Sequence, residues 1–228
     1  MKTTIFSQIS IDGKLTLGAG NSSKDLFKLF SNEDLEFIHK FRGKVDGIMV
    51  GRKTIITDNP FLTNRYEENR NPVRIIPTST MDIPPDSNVL VDKGRTIVAT
   101  TEKGFDKEKA DLITGMGKQY IVCGKEKLDF KELFRCLEEQ HNIKSVMVEG
   151  GGQLNWSIVA NDLADEIILM QLPIIIGGTS NITLVDGIGY RDMSSTKKYR
   201  IIDIQPRENY TLLRFARNAY TMHDRPVA

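Results

Sequence analysis

Residues 145–160 read Ser-Val-Met-Val-Glu-Gly-Gly-Gly-Gln-Leu-Asn-Trp-Ser-Ile-Val-Ala. A short apolar run ends in Glu149, three glycines follow, and the chain switches into LNWSIVA, the order strand, glycine turn, helix. Backbone amides free of Cβ atoms at a helix N-terminus can close on a phosphate, which makes Gly150, Gly151 and Gly152 candidate pyrophosphate contacts. The plainer alternative is a tight strand-to-helix turn. The string is neither the GxGxxG fingerprint nor a P-loop, since no GK[ST] follows.

The same alternation extends in both directions. Short apolar runs that close in glycine or turn residues predict strands at 3–10, 46–51, 73–78, 96–100, 119–123, 145–149, 166–172, 199–205 and 210–217. Amphipathic stretches lie between them. Asn32 with Glu33 and Asp34 reads as a cap and acidic first turn, opening a helix through Leu35, Ile38, His39 and Phe41. Phe130, Leu133, Phe134 and Leu137 recur at i, i+3, i+4, i+7, which predicts a helix over 130–140. The last two strands flank residues 207–209 and predict an antiparallel hairpin, so the fold class is α/β with a mixed, mostly parallel central sheet flanked by helices. One domain over 1–218 is expected, with a tail at 219–228; residues 64–71 and that tail are the least ordered candidates.

Composition limits the function. The chain has 228 residues, with 31 Lys plus Arg against 30 Asp plus Glu, which gives no overall charge to draw nucleic acid or an anionic membrane. Hydrophobic residues at 39% and charged residues at 27% are those of a globular protein and exclude wholesale disorder. Two cysteines, Cys123 and Cys136, form neither a disulfide framework nor a zinc motif, and no signal sequence or membrane-length apolar run is present. A cytoplasmic protein with no membrane or nucleic-acid partner is expected.

Gly51-Arg52-Lys53-Thr54, followed by Asp58, places a second helix start after an apolar strand, and two such turns on one sheet edge frame a crevice of dinucleotide size. Thr78, Ser79 and Thr80 add three hydroxyls after the next strand, where a ribose or its phosphate could be held. Arg42, Arg65, Arg52 and Lys53 could together form a small phosphate site, although each could equally be a solvated surface charge. His39, His141 and His223 are isolated, and no metal site, zinc deaminase motif or GxSxG elbow is found.

In combination, SIDGK (10–14), VDGIMVGRKTIITDNPFLTNR (45–65), NPVRIIPTST (71–80), VMVEGGGQLNW (146–156) and DEIILMQLPIIIGG (165–178) resemble the reductases of riboflavin biosynthesis, whose fold is similar to dihydrofolate reductase. The likeness is to the free-standing archaeal reductase and to the C-terminal half of the bacterial bifunctional enzymes. It implies NADPH as cofactor, with NADH a possible substitute. Thr54, Asp58 and Ser79 would lie against that cofactor, and Gly151, Gly152, Gln153 and Leu154 at its pyrophosphate. Arg42 and Arg65 would hold a substrate 5′-phosphate, Leu62 would line the substrate pocket, and Glu149 would face the sugar or pyrimidine. Glu149 and Asp58 are the catalytic candidates for reduction of a ribosylamino to a ribitylamino side chain on a phosphorylated pyrimidine. A homodimer through the sheet is also implied. Two features depart from the pattern: Phe6 stands where bacterial relatives have lysine, and the loop over 18–30 is long. A dihydrofolate or pterin reductase, or a nucleotide-binding protein without catalysis, are the rival readings.

Overall fold

The computed structural model describes residues 1–18, 20–22, 24–66 and 71–218. The expected tail and the middle of the 64–71 segment lie outside the described residues. Nine strands form one sheet: β1 (Lys2–Ile9), β2 (Gly47–Met49), β3 (Val73–Pro77), β4 (Thr96–Thr100), β5 (Gln119–Val122), β6 (Ser145–Val148), β7 (Glu166–Gln171), β8 (Tyr199–Pro206) and β9 (Thr211–Arg217). Their order is β5-β4-β3-β2-β6-β1-β7-β9-β8. The first seven run parallel, β9 is antiparallel to β7, and β8 closes the expected hairpin. The register of β8 on β9 shifts between Ile201 and Asp203, where a bulge inserts Ile202.

The helices are α1 (Lys24–Phe27), α2 (Asn32–Arg42), α3 (Arg52–Asp58), α4 (Asn88–Val91), α5 (Lys107–Gly115), α6 (Phe130–His141) and α7 (Gly152–Ala160). The cap of α2 is Ser31 and not Asn32. The Ser31 hydroxyl accepts from Asp34 N–H at 3.2 Å and the Asp34 carboxylate accepts from Ser31 N–H at 2.9 Å, a reciprocal capping box that Asn32 is one residue too late to make. In α6 the four residues of the apolar stripe are all buried.

Helices cover both faces of the sheet. On one, α6 and α7 pack on Ile5, Ile75, Ile97, Val146 and Val148. On the other, α3, α4 and α5 cover Ile48, Val50, Ile76 and Val98, while α1 and α2 cover Phe6, Met147, Ile168 and Met170. Phe6 is only 1% exposed and stacks obliquely on Phe41 and Phe37, so the position where a lysine was looked for is part of the aromatic core. None of the described helices is long and apolar enough to cross a membrane.

Strand order decides where a ligand can sit. From β2 the chain moves outward through β3, β4 and β5; β6 then returns beside β2, and β7 goes to the far side of β1. The direction reverses between β2 and β6, which opens a crevice at their carboxyl ends. Beyond β7, residues 172–198 fold back over the ends of β1 and α7. Asp12 accepts from Ile176 N–H and Gly177 N–H, and Asn155 Nδ2 donates to the Leu184 carbonyl. The Ser10 hydroxyl, then those two amides, bring the Asp12 carboxyl down to about 2.

Candidate active site

Met49 pairs with Val148, so the turns that follow β2 and β6 lie side by side. Gly51 and Gly151 cap α3 and α7 with φ of −72° and −75°, conformations open to any residue. A Cβ on either would meet no atom within 4 Å. Neither glycine is required by the fold, and both leave open space at a helix start. The other two glycines are packing residues. A Cβ on Gly150 would lie 2.8 Å from Asn155 Oδ1, and one on Gly152 would lie 2.3 Å from Asp186 Oδ2. Among the described helices of seven residues or more, α3 and α7 alone begin without a side-chain cap, whereas Ser31, Asp106 and Asp129 cap α2, α5 and α6. The N–H groups of Gly152, Gln153 and Leu154 are the unpaired donors of the α7 start. Leu154 offers only its backbone, because its side chain is buried in the α6–α7 core.

Glu149, one residue past β6, shares the sheet face of Met147 and is half-buried. Arg42, the last residue of α2, donates to it through Nε and Nη2, both at 2.7 Å. The two side chains are 11% and 15% exposed. Burial works against the Arg42 charge, but the Glu149 charge and hydrogen bonds outweigh it, and the guanidinium is held protonated more firmly than usual. Arg42 Nη1 also approaches the Thr63 carbonyl at 3.4 Å, and His39 Nδ1 lies 2.9 Å from the same oxygen. A carbonyl only accepts, so Nδ1 carries the His39 proton. Burial, and then the charge of Arg42, push the imidazole below its ordinary pKa, so His39 is neutral at pH 7.

Thr54 and Asp58 lie one turn apart on α3, both half-buried, and Ile55 between them anchors the helix in the core. Lys24 Nζ donates to the Asp58 carbonyl, which brings the start of α1 against the end of α3. Ser79 is exposed just beyond β3. Arg65 is exposed on the loop over 59–66, which follows α3. The four cations read as one phosphate site are divided: Arg42 bonds Glu149, whereas Arg52 bonds Asp82 past β3 through Nη2 at 2.6 Å. The Leu62 side chain is turned into the core beside Ile48, Val50 and Ile55, with φ of 56°, and does not line open space. Among the described residues, no group of three His, Cys, Asp or Glu side chains could hold a metal ion.

Sequence reasoning missed Arg74, His39 and Thr63. Arg74 is 1% exposed on β3; its Nε donates to the Phe61 carbonyl at 2.8 Å and its Nη2 to Asp92. The loop is thus gripped at alternate carbonyls, 61 and 63, from two sides. The available signal was an arginine inside VRIIP, a run otherwise reading as buried strand. Nothing local marks Thr63, because it is its backbone oxygen that His39 and Arg42 meet.

The sequence profile of the RibD C-terminal domain family matches residues 1–211. The chain belongs to that family. It is similar to a 2,5-diamino-6-ribosylamino-4(3H)-pyrimidinone 5′-phosphate reductase of Aquifex aeolicus, with 48% identity over 86% of this chain and 88% of that one. A protein of the same name from Methanothermobacter thermautotrophicus is 32% identical over 90% of both chains. Of the family's solved structures, Acinetobacter baumannii RibD superposes with a TM-score of 0.76 at 20% identity; 95% of this chain is covered and 58% of that longer one. The fold is the dihydrofolate reductase-like one.

Proposed function

We propose that this chain is a reductase that takes NADPH and converts the ribosylamino side chain of a pyrimidinone 5′-phosphate to ribitylamino, in riboflavin biosynthesis. The observation that carries this reading is the pair of open, uncapped turns at Gly51 and Gly151, separated by Glu149 at the point where the strand order reverses. The relatives' names agree with it, and no observation favours a folate substrate. The dinucleotide, when bound, supplies the hydride that reduces C1′. The residues present fit it: the free N–H groups of Gly152, Gln153 and Leu154 would hold the pyrophosphate beside Gly150 and Gly151, while Thr54, Asp58 and Ser79 would hold the ribose and phosphate ends. Arg52 and Lys109, paired with Asp82 and, for Lys109, with Asp106 as well, lie next to the Thr78–Thr80 turn and would be the cations there to meet the 2′-phosphate of NADPH.

Glu149 would orient the opened sugar and carry the proton of its hydroxyl, with Asp58 fixing cofactor and substrate together. Arg65 and Arg42 would take the 5′-phosphate. We further propose one domain over 1–218, acting in the cytoplasm as a homodimer. For the dimer, β7 is central in the sheet, and the uncovered apolar face lies on the hairpin instead: Ile201 and Ile204 are 60% and 54% exposed, beside half-buried Leu213 and Phe215.

The test is loss of reduced-nicotinamide absorbance with NADPH and 2,5-diamino-6-ribosylamino-pyrimidinone 5′-phosphate, with the deaminated analogue and dihydrofolate in parallel. Turnover on a ribosylaminopyrimidine is expected, and Glu149→Gln should lower it by roughly 10²–10⁴-fold, the usual worth of one acid–base group. Turnover on dihydrofolate alone would overturn the reading.

A further inference from the structure

We propose that the Arg42–Glu149 ion pair is a latch opened by the substrate's phosphate monoester: Arg42 exchanges the carboxylate for phosphate oxygens, and Glu149 is thereby released to the sugar. This deepens the reductase reading and rests on it. Two residues each assigned to substrate face one another, with both Glu149 oxygens engaged at 2.7 Å. In that arrangement both Glu149 oxygens already accept from the guanidinium, which fixes the carboxylate plane and leaves only their second lone pairs for a sugar hydroxyl. Arg42, for its part, presents to Glu149 the Nε–Nη2 edge that forms two-pronged contacts with oxyanions.

A phosphate monoester has the means to make the exchange. It carries roughly −1.5 to −2 charge near neutrality, against −1 for a carboxylate, and offers three acceptor oxygens. Arg65, on the loop that Arg42 touches, stands close enough for its charge to act on His39, and so supplies a second cation. His39 is no competitor for the phosphate, because it is neutral and its Nδ1–H is bound to Thr63. The same Thr63 carbonyl faces Arg42 Nη1 and gives the guanidinium a pivot while its other edge changes partner. The pair therefore couples recognition to chemistry: a sugar without the phosphate meets a Glu149 still held in place by Arg42.

The experiment follows ribose 5-phosphate by titration calorimetry and by the arginine Nε–H resonances, with ribose and NADPH as parallel ligands. Glu149→Gln should bind ribose 5-phosphate roughly tenfold more tightly than the parent, since a charge-assisted competitor has been removed. The double variant Arg42→Gln with Glu149→Gln has no unpaired buried charge to unfold it, and should lose that gain. In the parent, the Arg42 Nε–H resonance should move on ribose 5-phosphate and stay in place on ribose or NADPH. Equal affinity in parent and Glu149→Gln, or an unmoved resonance, overturns the latch. A resonance that moves on NADPH overturns it as well, because the cofactor's phosphate would then be the ligand. Turnover in the absorbance assay with no such gain leaves the reductase reading standing without the latch. A gain without turnover on any ribosylaminopyrimidine overturns the reductase reading and, with it, the release of Glu149 to a sugar.

Discussion

Arg42 and Arg74 are the same device in two places. Each guanidinium is buried, bonds one carboxylate and reaches one backbone carbonyl of the 59–66 loop: Thr63 for Arg42, Phe61 for Arg74. Their surroundings differ. Arg74 is sealed, with Gly94 so close that a Cβ there would lie 2.5 Å from Nη1, and with Lys118 bonding the Gly94 carbonyl alongside. Arg42 and Glu149 stand at the lip of the crevice beside the open glycine turns. The Arg74 guanidinium is walled in although its carboxylate Asp92 is 32% exposed, whereas Arg42 and Glu149, at 11% and 15%, border the crevice itself. The two guanidiniums differ in what they border, packed backbone for Arg74 and the crevice for Arg42, and under the proposed latch only the second changes partner.

The largest effect should come from Asp92→Ala. It leaves the Arg74 charge buried without its carboxylate and should lower unfolding free energy by about 3–5 kcal/mol in a urea melt. A loss below about 1 kcal/mol would break the contrast. Arg42→Gln should act mainly on function, raising KM for the phosphorylated substrate by roughly 10–100-fold, the worth of a charged hydrogen bond. If a dephosphorylated analogue suffers equally, Arg42 is structural like Arg74. The same division should run through one turn of chain: Gly152→Ala forces a Cβ against Asp186 and should cost about 1–3 kcal/mol. Gly151→Ala should leave the melt within about 0.5 kcal/mol and weaken NADPH binding instead. The smallest effect is on pH. His39 is depressed in the folded state, so the unfolded chain binds the extra proton, and stability is lost as pH falls below about 6.5. In Arg42→Gln, an NMR titration should find the His39 pKa moved part-way back up, since burial, its larger cause, remains.

All nine strands were legible in sequence to within about two residues. Strands such as β3 and β4 are buried at every position and appear as short runs that are apolar but for Arg74 and the two threonines that bound β4. Their order was not legible, because β6 enters between β2 and β1 by contacts that no local pattern encodes. For the site, Glu149 and the glycines announce themselves at a strand end. That Arg42 would be bonded to Glu149, 107 residues away, and that Leu62 would turn inward at positive φ, are consequences of packing. The roles of Gly150 and Gly152 were equally hidden, since the atoms that require them, in Asn155 and Asp186, become neighbours only in the fold.

The bulge at Ile202 limits how a further strand can add to β8. Among the described residues, the nine-stranded sheet ends at β8 in a backbone edge with no further strand on it, a template for strand addition. Because one residue of β8 has no opposite number on β9, that edge is bent, and an incoming flat strand cannot match its amide spacing along the full length. Open-ended strand addition at β8 is thereby disfavoured.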